Sequence, residues 1–451
     1  MSWVQDEFSN IDLKDKRLNR RLIKTTELLS ARPSQSINRS IEDYKDKKAA
    51  YRLFDNDKCT PEKIFTPHRD RTSERISRHK IVLSLHDTSF LNYDSHVETT
   101  GLGSIGGHST TEANDGSRGL IFHGSLAVSE TGLPLGMQSI RIWSREDKME
   151  WAKESERWLE GLRRAKETVK GDTQMVFITD REGDQFDLIS ESIKLKCDLV
   201  IRSKHDRKIN GLDSYLSWHL KKQIPAGTVL VDDPKNKRKA EVSVSYSKIA
   251  FNDPEIRRGA HLNMFDIDRV EVYVVEAKEK NPPPGVEALH WVLLTTLPVN
   301  DIKSALTVVD YYRKRWNVES YFKVLKGGCC EVEDCRLQTR DRLEKYLTLF
   351  AIIAWRVYWM VHVGRTDPKM NSSVVLTEVE KRTLYCHVNK TKSIEKMPKK
   401  MTVREAIRSI AKMGGFNGRK GDGDPGMITT WRGWIRLQDK VEMYEIMSGT
   451  Y

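Results

Sequence analysis

The chain has 451 residues, with 76 Lys and Arg against 64 Asp and Glu, a formal net charge of +12 and a pI near 9.2. That length exceeds one compact core and points to two or three domains, and a positive surplus spread along it favours a long anionic partner such as nucleic acid. The six cysteines, Cys59, Cys197, Cys329, Cys330, Cys335 and Cys386, make no disulfide framework at this size and fit a reducing cytosol.

The opening residues, Met1 to Glu7, are acidic and carry no apolar run, which argues against a signal peptide. Residues 1–70 read as a helical module. Asp12 is placed to cap a segment with Leu18, Leu22, Leu28 and Leu29 on one side and Lys14, Lys16, Arg17, Arg20, Arg21 and Lys24 elsewhere. Thr60-Pro61 reads as an N-cap followed by proline at the first helical position. Such a basic terminal module suits DNA docking, and equally a solvated amphipathic bundle.

From residue 80 the pattern turns to strands. Ile81 to Asp87 is one, and Leu120–Ser129 and Leu135–Trp143 flank the turn 130–134 as a hairpin. A long helix is expected from about Asp147 to Lys170, with Trp151 and Trp158 seven residues apart. Met175–Asp180 is a strand, Gln185–Ile193 a helix and Asp198–Arg202 a strand. Three antiparallel strands joined to βα units predict an α/β fold with a mixed sheet and helices on its faces. Segments 228–231, 240–246, 270–275 and 291–297 alternate like strands and read as a β insertion at about 205–300, with a basic turn at 235–239. The apolar run Leu347–Val361 is shorter than the ~20 residues of a membrane span and contains Arg356, so it reads as a buried core helix. Beyond 365 the chain is helical. Trp431, Trp434, Leu437, Val441 and Tyr444 form an apolar stripe, either core or, if exposed, a dimer surface.

Two motifs are set aside. Gly101-x-Gly103-x-x-Gly106 matches a dinucleotide fingerprint, but no apolar strand precedes it and no helix follows, so a flexible loop near the active site is expected and no nucleotide cofactor. Cys329, Cys330 and Cys335 lack the paired C-x-x-C spacing of a zinc site.

The chemistry gathers on Tyr312–Lys326. Read as one helix, Tyr312, Arg315, Glu319 and Lys326 fall within roughly 60° of arc. Tyr311, Val318, Phe322 and Leu325 form an adjacent apolar stripe that can bury. A carboxylate between fixed cations suits a metal ligand facing a polyanion; i,i+4 ion pairing on a solvated face is the plainer alternative. Asp87 and Asp180 each close an apolar strand, where sheet folds open a crevice. Carboxylates from two strands and a helix can hold two divalent cations, and Mg²⁺ fits as a hard ion that keeps exchangeable waters. That arrangement serves in-line phosphoryl transfer on a DNA backbone.

Asp87-Thr88-Ser89, Asp180-Arg181-Glu182-Gly183-Asp184 and Tyr312-x₂-Arg315-x₃-Glu319-x₆-Lys326 resemble the motifs of the DDE transposases of bacterial insertion sequences. The group is the insertion-sequence-four superfamily, that of the transposon-five transposase. The resemblance implies a ribonuclease-H-like core with two Mg²⁺ or Mn²⁺ ions on Asp87, Asp180 and Glu319. It implies a cut-and-paste enzyme in the bacterial cytoplasm, associated with the nucleoid and with no membrane partner. A homodimer would pair two transposon ends, cut them through hairpins and join them to target DNA. Helical domains at 1–70 (end binding) and 366–451 (dimerisation) would flank a catalytic domain at 71–365. Tyr312, Arg315 and Lys326 would hold DNA backbone, Trp291 would receive a flipped base and Trp316 stack opposite it. Arg202, Lys204, His205 and Arg207 would line the channel through phosphate contacts. A ribonuclease-H-like nuclease without strand transfer, and a silent DNA-binding regulator, are the alternatives.

Overall fold

The structure is a computed structural model and describes residues 2–106, 116–146, 153–209, 214–233, 236, 238–253, 267–398 and 400–449. Its first part is helical, comprising α1 (Trp3–Glu7), α2 (Lys16–Ala31), α3 (Ile37–Ser40), α4 (Tyr44–Phe54) and α5 (Pro61–Ile76). The starts are local signals. Asp43 accepts from the Asp46 N–H, and Thr60 from Lys63 with Pro61 in the first turn. The cap expected at Asp12 is corrected to Asp15, which accepts from the Arg17 N–H. Asp12 instead binds the N–H and ammonium of Lys14, where the chain turns with φ 59° before the helix can start. Leu18, Leu22 and Leu29 are buried and Leu28 packs beside them, leaving Arg17, Arg20, Arg21 and Lys24 around an outer cleft.

The centre is one mixed sheet, ten-stranded among the described residues. β1 (Ile81–Asn92), β3 (Arg118–Ser129) and β4 (Pro134–Trp143) pair antiparallel, and the short β2 (Gly103–Ser104) continues the edge along β3. β1 then pairs in parallel with β5 (Gln174–Thr179), and β5 with β6 (Asp198–Arg202). The resulting order β4-β3-β1-β5-β6 is the ribonuclease-H-like core. Two expectations change here. β1 does not close at Asp87: parallel pairing ends at Leu85–Ile178, but β3 holds β1 as far as Asn92–Gly119. The loop expected at the glycine motif is partly strand, since β2 pairs with Arg118 and Gly119.

The 205–300 segment is the expected strand-rich insertion, and its longer strands join the central sheet. It contributes β7 (Lys208–Ile209), β8 (Ser214–Tyr215), α8 (Leu216–Lys221), β9 (Gly227–Asp233), β10 (Arg238–Asn252), β11 (Arg269–Glu279) and β12 (His290–Thr295). β12 hydrogen-bonds to β6, and β11, β10 and β9 follow in turn. The segment thus extends the central sheet and covers what would be an open edge at β6.

Helices cover both faces. α6 (Arg157–Glu167), preceded by a 3₁₀ turn at Glu154–Glu156, and α7 (Phe186–Lys194) pack on Val82, Met175 and Phe177. The helix expected over 147–170 is shorter at both ends; its residues 147–152, with Trp151, lie outside the described residues. The opposite face, with Leu83, Leu85, Val176 and Ile178, packs on α9 (Ile302–Arg313), α10 (Trp316–Lys326) and α11 (Arg340–Thr366). α11 is long and apolar enough to cross a membrane by length and composition, yet it is mostly buried against β4, α4, α5 and α10. α12 (Glu378–Asn389), α13 (Val403–Met413) and α14 (Met427–Ser448) follow. Trp431, Leu437 and Val441 of the expected stripe are buried, while Met443, Ile446 and Met447 of α14 are exposed.

Candidate active site

Sheet register positions the two aspartates. Leu85 stands opposite Ile178 as the last pair of the parallel ladder, so Asp87 and Asp180 each lie two residues past its end. Side chains alternate along a strand. Asp87 therefore shares the face of Leu83 and Leu85, and Asp180 that of Val176 and Ile178, which is the face covered by α10. Asp180 also accepts from the Glu182 N–H as the cap of a 3₁₀ turn at Arg181–Gly183, which ends the strand there.

Glu319 arrives in the first turn of α10. The single helix expected over Tyr312–Lys326 is two helices, broken at Lys314–Arg315. Around the break the amides of Arg315, Asn317 and Val318 bond three residues back instead of four. Asn317 donates its side-chain amide to the Lys314 carbonyl at 2.7 Å and is itself held by the Tyr358 hydroxyl at 2.8 Å. The apolar stripe is as expected: Tyr311, Val318, Phe322 and Leu325 are all buried.

Arg315 links the acids. Its Nη2 donates to Glu319 at 2.5 Å and its Nη1 lies 3.8 Å from Asp87. Its Nε is buried without a partner. Burial pushes the Asp87 carboxyl up to about 7, with Asp180 and Glu319 adding to the rise against the pull of Arg315. The Arg315 guanidinium is disfavoured by burial, but Tyr312, Glu319 and Asp87 outweigh that and hold its proton.

The remaining signature residues surround this trio. Tyr312 is 3% exposed and packs edge-on against Trp291, itself 7% exposed, with ring centroids 5.1 Å apart. Trp316 lies between cations, 5.9 Å from both the Arg315 guanidinium and the Lys323 ammonium. Lys326 is tied to the sheet, donating to the Phe90 carbonyl at 2.6 Å and standing 3.5 Å from Glu333. Arg202 continues β6 beside Asp180 and donates to the His290 carbonyl. Lys204 and His205 are exposed. Arg207 is not: both its Nη atoms bind the fully buried carboxylate of Asp184, which also accepts from the N–H groups of Lys204 and His205.

Two supporting features were missed by sequence reasoning. Arg157 donates to Thr88 Oγ1 at 3.1 Å and to Glu182 at 2.7 Å, bracing the residues that follow each aspartate. Behind Asp87, on the other face, lie His86 and His123, both fully buried; burial keeps both neutral, His123 with a pKa of about 3. Each has one unpartnered ring nitrogen, and both nitrogens face Gly161, where a Cβ would sit 3.0 Å from each. The only trace of these in the sequence is a histidine next to Asp87 and an arginine beside Trp158, and arginines are too common here to single out one.

Among the described residues, no three His, Cys, Asp or Glu side chains converge closely enough to hold one ion, and the buried thiols of Cys329, Cys330 and Cys335 are no exception. As oxygen donors Asp87, Asp180 and Glu319 suit a hard divalent cation. The Asp87 carboxyl is raised first by burial, with Asp180 and Glu319 adding to it, so a cation beside it would offset both causes. Donor chemistry fits the ion; Arg315 now occupies the space between two of the donors.

Family models match the chain in three stretches. A transposase DNA-binding model covers residues 1–59, a transposase DDE domain model covers 139–356, and a transposase Tn5 dimerisation domain model covers 352–446. The DDE model spans Asp180 and Glu319 and begins after Asp87. DNA-binding, catalytic and pairing regions follow one another along most of the sequence, and the chain belongs to the Tn5-like, insertion-sequence-four family of DDE transposases.

Proposed function

We propose that this DNA transposase excises and inserts its element by cut-and-paste, with Asp87, Asp180 and Glu319 as the ligands of two Mg²⁺ ions that Mn²⁺ can replace. The observation that carries the reading is the register that sets Asp87 beside Asp180 under α10, with Glu319 reached through one arginine. When bound, the ions would activate the attacking water or 3′-hydroxyl and stabilise the departing oxygen. The chain's own groups position the strand. Arg315 and Arg202 offer guanidinium donors to phosphates at the mouth of the site, and Lys326 and Lys204 offer ammonium groups. Arg207 supports the channel from behind through Asp184.

The finer course is nicking, hairpin formation at the transposon end, reopening and strand transfer. A hairpin requires an extruded base, whose unstacking an aromatic platform offsets. Trp291 and Tyr312 form a packed pair at the site, and Trp316 lies half-buried beside Arg315. We assign residues 1–70 to end binding, 71–365 to catalysis and 366–451 to pairing of two copies in the bacterial cytoplasm.

The test incubates the protein with a duplex of the repeat that flanks its coding region and Mg²⁺, and resolves nicks, hairpins and joined products. Hairpins and joined products are expected; nicks alone would leave a nuclease. Glu319→Ala should abolish cleavage while the gel shift of the same duplex persists. Retained cleavage would remove Glu319 from the ligand set.

A further inference from the structure

We infer that Arg315 is an internal counter-ion, holding the acids in a cation-free state until the phosphate of a bound strand draws it away, so that DNA and divalent cations load the site cooperatively. The inference rests on the ligand set proposed above and adds an order to its filling.

Three observations carry it. The guanidinium spans two of the three acids, with one Nη on Glu319 and the other towards Asp87, so it lies where a cation shared by them would have to bind. The other signature cation is engaged elsewhere, Lys326 with the Phe90 carbonyl and Glu333, and the adjacent Lys314 binds Asp310. Finally, the grip is incomplete. Nε is buried without an acceptor, although Tyr312 and Trp316 hold the group on either side at 5.8 and 5.9 Å. A guanidinium with a free N–H is matched better by a phosphate, whose oxygens accept two parallel bonds. Arg315 stands at the break between α9 and α10, where the helical ladder is already interrupted. A phosphate that takes Arg315 uncovers Asp87 and Glu319, and ions on those acids in turn release Arg315 to the phosphate. Thermodynamic linkage requires the two effects to be equal in size.

The experiment measures Mn²⁺ binding to the full-length protein by the loss of the free-ion electron paramagnetic resonance signal, with and without the terminal-repeat duplex. Without DNA, Arg315→Gln should bind Mn²⁺ about tenfold more tightly than wild type, the usual scale of such coupling. The duplex should tighten wild type by a similar factor and leave Arg315→Gln unchanged. Arg315→Lys, which keeps the charge, should stay as weak as wild type without DNA. Adding Asp180→Asn to Arg315→Gln should remove the gain, placing the ion on the acids. Arg315→Met repeats the reading if the glutamine variant is unstable. If neither neutral variant gains Mn²⁺ affinity while Asp180→Asn still weakens binding, the counter-ion role is overturned and the ligand set stands. Binding indifferent to Asp180→Asn under every condition would overturn the ligand set, and the inference with it.

Discussion

Asp87 carries the clearest energetic signature of any single residue in the site. Its carboxyl titrates near 7 in the folded chain against an ordinary value of 3.8, chiefly because burial penalises the charge. Between those values the folded state binds the extra proton, so stability falls as pH rises through that window. Below it the penalty is absent, and above it the penalty is complete. Asp87→Asn removes the titration. With chelator at pH 8 the variant should be more stable than wild type by about 1–3 kcal/mol, and near pH 4 the two should converge. Thermal melting at both values checks this, and a variant no more stable at pH 8 would show that Arg315 already compensates the charge. Mg²⁺ should narrow the gap at pH 8 by stabilising wild type alone.

Among the elements, the loop after β6 depends most visibly on one side chain. Asp184 is fully buried and accepts five hydrogen bonds from Ser203, Lys204, His205 and Arg207. Removing the charge of one partner in a buried pair is costly because the other is left uncompensated. Asp184→Asn should therefore expose the peptide bonds after Lys204 and Arg207 to trypsin, with cleavage at least tenfold faster than in wild type, while the β5–β6 ladder persists. Unchanged digestion would mean that backbone pairing alone fixes the loop. This region also shows what the sequence could reveal. The βα order, the hairpin around 130–134 and the apolar stripe of Tyr311, Val318, Phe322 and Leu325 were readable because period and turn chemistry are local. The pairing of Arg207 with buried Asp184 was not, since an arginine in a basic loop looks the same whether it meets a phosphate or a carboxylate four residues after Asp180. The helix break at Lys314–Arg315 was hidden for a similar reason: its partners, Asn317 and Tyr358, come from different helices. Likewise, the merging of β9–β12 into the central sheet depends on pairing with β6 across about 90 residues, a long-range contact that no local pattern records.

At the scale of the whole molecule, α11 connects what the sequence divides. The DDE match ends at 356 and the dimerisation match begins at 352, both inside this helix. Its buried residues touch the amino-terminal helices α2, α4 and α5, the sheet through β4, the α10 layer, and α13 and α14. Phe350, fully buried and stacked on Tyr346 with ring centroids 4.1 Å apart, lies at its middle. Phe350→Ala should cost about 3–5 kcal/mol. The loss should appear as one earlier transition recorded alike by the near-ultraviolet and far-ultraviolet signals, since the regions share this core. Two separated transitions would show that they melt independently.

A joint rod of this kind has a consequence for descent. Relatives that exchange their carboxyl-terminal portions by recombination would each inherit half a helix from either parent, with mismatched side chains at the seam. Choice of mate and competence to cut are then inherited together, and lineages of such elements can diverge into non-mixing pairs through changes along a single buried stripe.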